Sequence, residues 1–145
     1  MRTNLISNFR VAALVIAAGV ATSCGTASTP PTAAAKEITS QRAGDLAISL
    51  QNESGELAKG QNRFVVAFHS AGNNQPVDAG NVTIGASMAM PGMAPMVGEM
   101  ELKPSGTPGV YAATGNFKMS GSYVFEMRWD GPAGKGSTSF TTSVR

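Results

Sequence analysis

From about Asp45 onward, apolar and polar residues alternate in short runs. Leu46, Ile48 and Leu50 form the first such set, and Phe64, Val66 and Phe68 the second. Val82, Ile84, Ala86 and Met88 make the third, and Met96, Met100 and Leu102 share a face in the fourth. Tyr111 and Phe117 share a face in the fifth. The clearest run is Tyr123, Phe125, Met127 and Trp129, with Glu126, Arg128 and Asp130 on the other side, and Phe140 and Val144 share the last. A period of two is that of a strand with one face buried. Turn-forming residues separate the runs: Gly72-Asn73-Asn74, Gly80-Asn81, Ser105-Gly106, Gly121 and the stretch from Gly131 to Gly134. No segment carries a helical period. About seven short strands at this spacing predict an all-β domain, an immunoglobulin-like β-sandwich, over residues 45–145.

The N-terminus follows a different pattern. Arg2 and Arg10 supply a positive region ahead of an apolar run, Val11 to Val20, which leads into Ala21-Thr22-Ser23-Cys24. That run is about 10 residues long, half of what a membrane-spanning helix needs. It has the form of a secretory signal, which is removed and forms no part of the fold. Val20-Ala21-Thr22-Ser23-Cys24-Gly25 resembles a lipobox, with Ala21 where Leu is usual. The expectation is a lipoprotein with signal 1–23, acylated at Cys24. The competing reading is an ordinary signal with a chance cysteine. Cys24 is the only cysteine, so no intramolecular disulfide can form. Gly25 after the cysteine implies outer-membrane sorting, facing the periplasm, in a Gram-negative envelope. Residues 24–44 are small, polar and proline-containing, and are expected to be a flexible tether.

Loss of the signal changes the charge. The chain has eleven basic and nine acidic residues, a formal +2, but Arg2 and Arg10 leave with the signal and the remainder balances. A near-neutral domain offers no basic footprint for nucleic acid. Hydrolytic chemistry also lacks support: there is one histidine, no nucleophile elbow and no paired carboxylates. An enzyme is not expected.

Candidate chemistry lies instead in methionine. Five of the eight methionines, Met88, Met90, Met93, Met96 and Met100, fall within thirteen residues. A thioether is a soft ligand suited to copper(I). Alternation puts Met88 and Met100 on core faces, where methionine is a flexible filler. Met90, Met93 and Met96 fall in the connection between two strands, where packing needs them less. These three are the candidate copper(I) ligands, with Met119 and His69 as candidate helpers. His69 alternates away from Phe64, Val66 and Phe68, so an exposed strand residue is the simpler reading for it. The Met loop could equally be an apolar docking patch for a partner protein.

Several of these residues together resemble a known pattern. Ala71-Gly72, Pro76-Val77-Asp78-Ala79 and Val82 are similar to the opening of the YtkA-like domain family, related to FixH-like proteins. Met90-Pro91-Gly92-Met93 resembles its central Met-Pro-x-Met motif. Pro108-Gly109-Val110-Tyr111, Phe117-Lys118-Met119-Ser120-Gly121 and Gly131-Pro132 resemble its later landmarks. Tyr123 stands where the family often has Trp, and no His lies near the Met motif. The resemblance implies an immunoglobulin-like extracytoplasmic domain, of a kind found in lipoproteins and fused to subunits of metal efflux systems. FixH-like members are linked to assembly of copper-containing oxidases. The implied partners are therefore the membrane, through the lipid, and an efflux or oxidase-assembly component.

Overall fold

The computed structural model describes residues 35–145, and all of its regular structure is strand. The signal and Cys24 lie outside the described residues. Eight strands follow in order: β1 Lys36–Ala43, β2 Leu46–Asn52, β3 Gly60–Ser70, β4 Asn81–Met88, β5 Met96–Pro104, β6 Val110–Phe117, β7 Gly121–Gly131 and β8 Gly134–Val144. They pair antiparallel in one sheet of order β1-β2-β3-β6-β5-β4-β7-β8.

Two expectations are corrected. The sheet has eight strands where seven were expected. The extra one, β1, occupies residues 36–43, which were assigned to the tether. Its sequence KEITSQRA is mostly polar, with Ile38 and Ala43 as the residues packed on the core, so it carries almost no period-two signal. Its partner β2 holds it in place, from Lys36↔Asn52 to Ala43↔Leu46.

The second correction concerns layering. The strands form one nearly closed, barrel-like sheet rather than two separate sheets. β5 is the reason: Met96 to Gly98 pair with β4, and Glu99 to Pro104 pair with β6. The strand changes partner at Gly98, where a Cβ would come within 3.2 Å of the Phe117 ring. A glycine there lets the backbone turn a corner of the sheet against an aromatic ring. At the far edges β1 comes alongside β8, and Leu57 bridges to Val144. Leu57, fully buried, belongs to none of the alternating runs.

Inside, an aromatic file runs the length of β7. Phe68 meets Tyr111 and Trp129 edge to face at 5.6 and 5.9 Å, and Phe125 stacks on Phe140 at 5.5 Å. Phe117 meets Tyr123 at 5.0 Å and Phe125 at 5.9 Å. Such pairs add roughly 0.5–1.5 kcal/mol each beyond area burial. The barrel therefore has two distinct ends. Trp129, Tyr111 and the Val77–Gly80 segment lie at one, and Tyr123, Phe117 and the β4–β5 connection at the other.

Glycine is required where backbones touch. Gly80 has φ +69, and a Cβ on it would lie 2.6 Å from the Gly131 Cα. Gly92 also has a positive φ, +75, but its Cβ would meet open space. Gly92→Ala should therefore cost only the left-handed strain, about 1–2 kcal/mol. Gly80→Ala adds overpacking and should cost roughly 3 kcal/mol. Urea unfolding measures both; equal losses would contradict the close approach of Gly80 and Gly131.

Candidate metal centre

The β4–β5 connection is built by its own sequence. Pro91 presets φ for the second position of a turn, and Gly92 supplies the positive φ the third requires. The turn closes where the Met93 N–H donates to the Met90 carbonyl at 3.2 Å. Met90 and Met93 are thus brought to the two corners of a type II turn. Met93 is 65% exposed and Met90 is half-buried.

Below the turn, register pairs Met88 directly with Met96. Both continue inward-facing rows, Met88 after buried Ala86 and Met96 before buried Gly98. Both are half-buried, at the rim of the core rather than within it. The Met88 sulfur lies over Gly121, where a Cβ would sit 2.6 Å from it. Tyr123 is fully buried, and its hydroxyl donates to the Met119 carbonyl at 3.1 Å while lying 3.8 Å from Met96 Sδ. One proton serves both contacts, and the carbonyl is the better acceptor. The sulfur lone pairs of Met96 are therefore not committed to the hydroxyl. Met119 sits in the turn between β6 and β7 and is 42% exposed.

The structure thus gathers Met90, Met93, Met96 and Met119 at one end of the barrel, and Met88 with them. His69 is not brought there. It lies on β3 opposite Ala47, nine residues beyond Gly60, the end that pairs with Phe117. At the rise of an extended strand that is about 30 Å along β3. It is half-buried rather than exposed, its backbone bridges to Pro76, and its Nδ1 is buried without a partner. Met100 lies four residues along β5 from Met96, with its sulfur against Gly115 and its side chain packed on the core.

Charge at this end is sparse. Lys118 approaches Glu99 at 3.8 Å, and both are exposed. Among the described residues no group of three His, Cys, Asp or Glu could hold a metal ion. The donors this end carries in number are thioethers, a soft ligand type. At the other end, burial pushes the Tyr111 phenol above its ordinary pKa, with the Asp78 charge adding to the rise. Its hydroxyl donates to the Gly80 carbonyl at 2.9 Å, a structural tie remote from the methionines.

Sequence reasoning missed the contributions of Tyr123 and Gly121. The signal was present in outline: both sit at the head of the most regular strand, next to Met119. What the pattern could not show was which residues on β4 and β5 lie beside them.

A small all-β domain with its thioethers collected at one rim is the class that fold and site define. The chain belongs to the YtkA-like family, which matches residues 40–128. No curated protein matches it. Among solved structures it is similar to a DUF4426 family protein from Pseudomonas aeruginosa, at 20% identity and TM-score 0.50, covering 72% of this chain and 94% of that one. It is also similar to PcoC, a methionine-rich copper resistance protein from Escherichia coli, at 14% identity, 62% and 88% coverage and TM-score 0.42. A copper-bound variant of FetP from uropathogenic Escherichia coli is similar at 9% identity, 75% and 96% coverage and TM-score 0.45. At these identities the likeness is one of fold, and at the two lower scores it bears no functional weight.

The Tyr123 hydroxyl can be tested directly. Tyr123→Phe keeps the ring contact with Phe117 and removes the tie to Met119, so it should cost about 1 kcal/mol. It should also shift the carbonyl-carbon resonance of Met119. An unmoved Met119 resonance would contradict the contact.

Proposed function

We propose that this domain binds copper(I) at the cell envelope through the thioethers of Met90, Met93 and Met96, with Met119 as a further ligand, and holds or relays it in metal handling, efflux or cuproenzyme assembly. The observation that supports the reading is the placement of these residues at one end of the barrel. Met90 and Met93 are joined by a tight turn, Met96 stands at the head of β5, and Met119 is tied to Tyr123 beside Met96. A soft monovalent ion matches that donor set. His69 has no place in the proposed site. PcoC and FetP, too distantly alike to weigh here, are described as copper-resistance and copper-bound proteins.

The setting follows from the N-terminus. A signal over residues 1–23 exports the chain, and an acylated Cys24 anchors it to the membrane, facing the periplasm if the envelope is Gram-negative. The single thiol is then used for attachment, which leaves binding to methionine. The role is one of binding rather than catalysis.

A second reading has its own observation. Val97 and Val124 are 68% and 39% exposed and flank Ser87 in one cross-strand row on the outer face. Met93, also exposed, lies in the connection that joins the same two strands, β4 and β5. This favours a non-enzymatic module that docks, without metal, on a membrane efflux or oxidase-assembly partner. Under it Val97→Asp abolishes crosslinking to that partner, and the domain binds no copper.

Residues 25–145 hold all eight strands and serve for titration with copper(I) against a competing chelator. Replacing Met90, Met93 and Met96 with Leu together should weaken binding by about 100-fold or more. Unchanged affinity sinks the copper reading. Thioethers do not titrate in the accessible range, so affinity should also stay level from about pH 5 to 8. Sites built on His or Cys lose affinity as pH falls, because protons compete for the ligand. A steep fall on acidification would point to other ligands.

A further inference from the structure

We infer that Met88 is an inner sulfur ligand of this same site, seated by Gly121, and not a core filler. The inference rests on the thioether reading and names a residue whose alternation alone would assign it to packing.

Met127 shows what a core methionine looks like in this protein. It is fully buried in the middle of β7, between Phe125 and Trp129 on the inward row. Met88 differs in three respects. It is the last residue of β4 and only half-buried; like Met100 it packs on the core, but it does so at the end of the barrel where the other methionines lie. It stands opposite Met96, and directly paired residues of an antiparallel ladder have Cβ atoms about 4.5–5.5 Å apart. Its sulfur also lies over the backbone of Gly121, two residues beyond Met119. Gly121 has φ +152, a conformation side chains rarely adopt, and any Cβ there would come 2.6 Å from the Met88 sulfur. The absent side chain is what gives the thioether its seat. Met88 is thereby paired with Met96 in the ladder, and its sulfur lies against Gly121, two residues after Met119.

The site then has two tiers. Met88 and Met96, both half-buried, form the inner pair, with the Tyr123 hydroxyl beside Met96. Met93 and Met119, the exposed members, form the outer tier. An ion held by both tiers keeps the inner sulfurs while the outer ones exchange with an acceptor, which suits relay better than closed storage.

Met88→Leu tests this with little loss of packing, because Leu and Met have similar volume and the swap usually costs less than about 1.5 kcal/mol. Copper(I) affinity should fall about tenfold or more, and X-ray absorption should count one sulfur neighbour fewer. Met127→Leu, which removes a core sulfur, should leave affinity unchanged. In the unmutated protein, bound silver(I) should slow peroxide oxidation of Met88 to its sulfoxide, read by mass spectrometry; this arm serves even if Met88→Leu folds poorly. Binding by the unmutated protein, with unaltered affinity in Met88→Leu or unprotected Met88 under silver(I), overturns the inference and leaves the outer site standing. No binding by the unmutated protein overturns both.

Discussion

Phe117 and Tyr123 meet edge to face at 5.0 Å, and both are fully buried. They stand on either side of the turn between β6 and β7, so their contact sets the position of that turn and of Met119 within it. Phe117 also fills the space left by Gly98 and Gly115, against which β5 bends from one partner to the other. Tyr123 carries the contact outward, because its hydroxyl reaches the Met119 carbonyl and the Met96 sulfur. The closure of the sheet and the gathering of the methionines thus depend on the same two rings. Burying a side chain of this size contributes about 1.5–3 kcal/mol, so the rim is anchored by the core and does not hang from a free loop.

The chemistry that this rim can support is narrow. It offers thioethers, a hydroxyl already engaged with a carbonyl, and few charges. Thioethers are soft ligands, and the proposal of copper(I) binding rests on them. The stiff Met90–Met93 turn, built on Pro91 and Gly92, lowers the entropy lost when two flexible side chains are ordered around a ligand. The opposite end of the barrel carries His69, Tyr111 and Asp78, and its hydrogen bonds are spent on joining backbone segments.

Much of the fold was legible because burial leaves a period of two. β7 reads without ambiguity, since Tyr123, Phe125, Met127 and Trp129 alternate with exposed residues over its whole length. β1 was illegible because it is a polar edge strand placed by pairing with β2, and pairing leaves no local trace. Leu57 was missed for a related reason, being a lone apolar residue that closes the barrel through Val144. The placement of the candidate residues was legible in part. Clustering in sequence singled out Met90, Met93 and Met96, and Met119 was placed near them from the strand ends. His69 was attached to them on chemistry alone, and its strand carries it toward the other end. The pairing of Met88 with Met96 needed the register of β4 on β5, which alternation within each strand does not specify.

The central claim is that one rim of thioethers forms a soft-metal site distinct from the core. Methyl NMR of methionine-labelled protein tests it in a single titration. On addition of silver(I), the methyl resonances of Met88, Met90, Met93, Met96 and Met119 should move together and saturate at one equivalent, while those of Met100 and Met127 stay in place. A titration in which no methyl moves, or in which Met127 moves as far as Met93, would contradict the account.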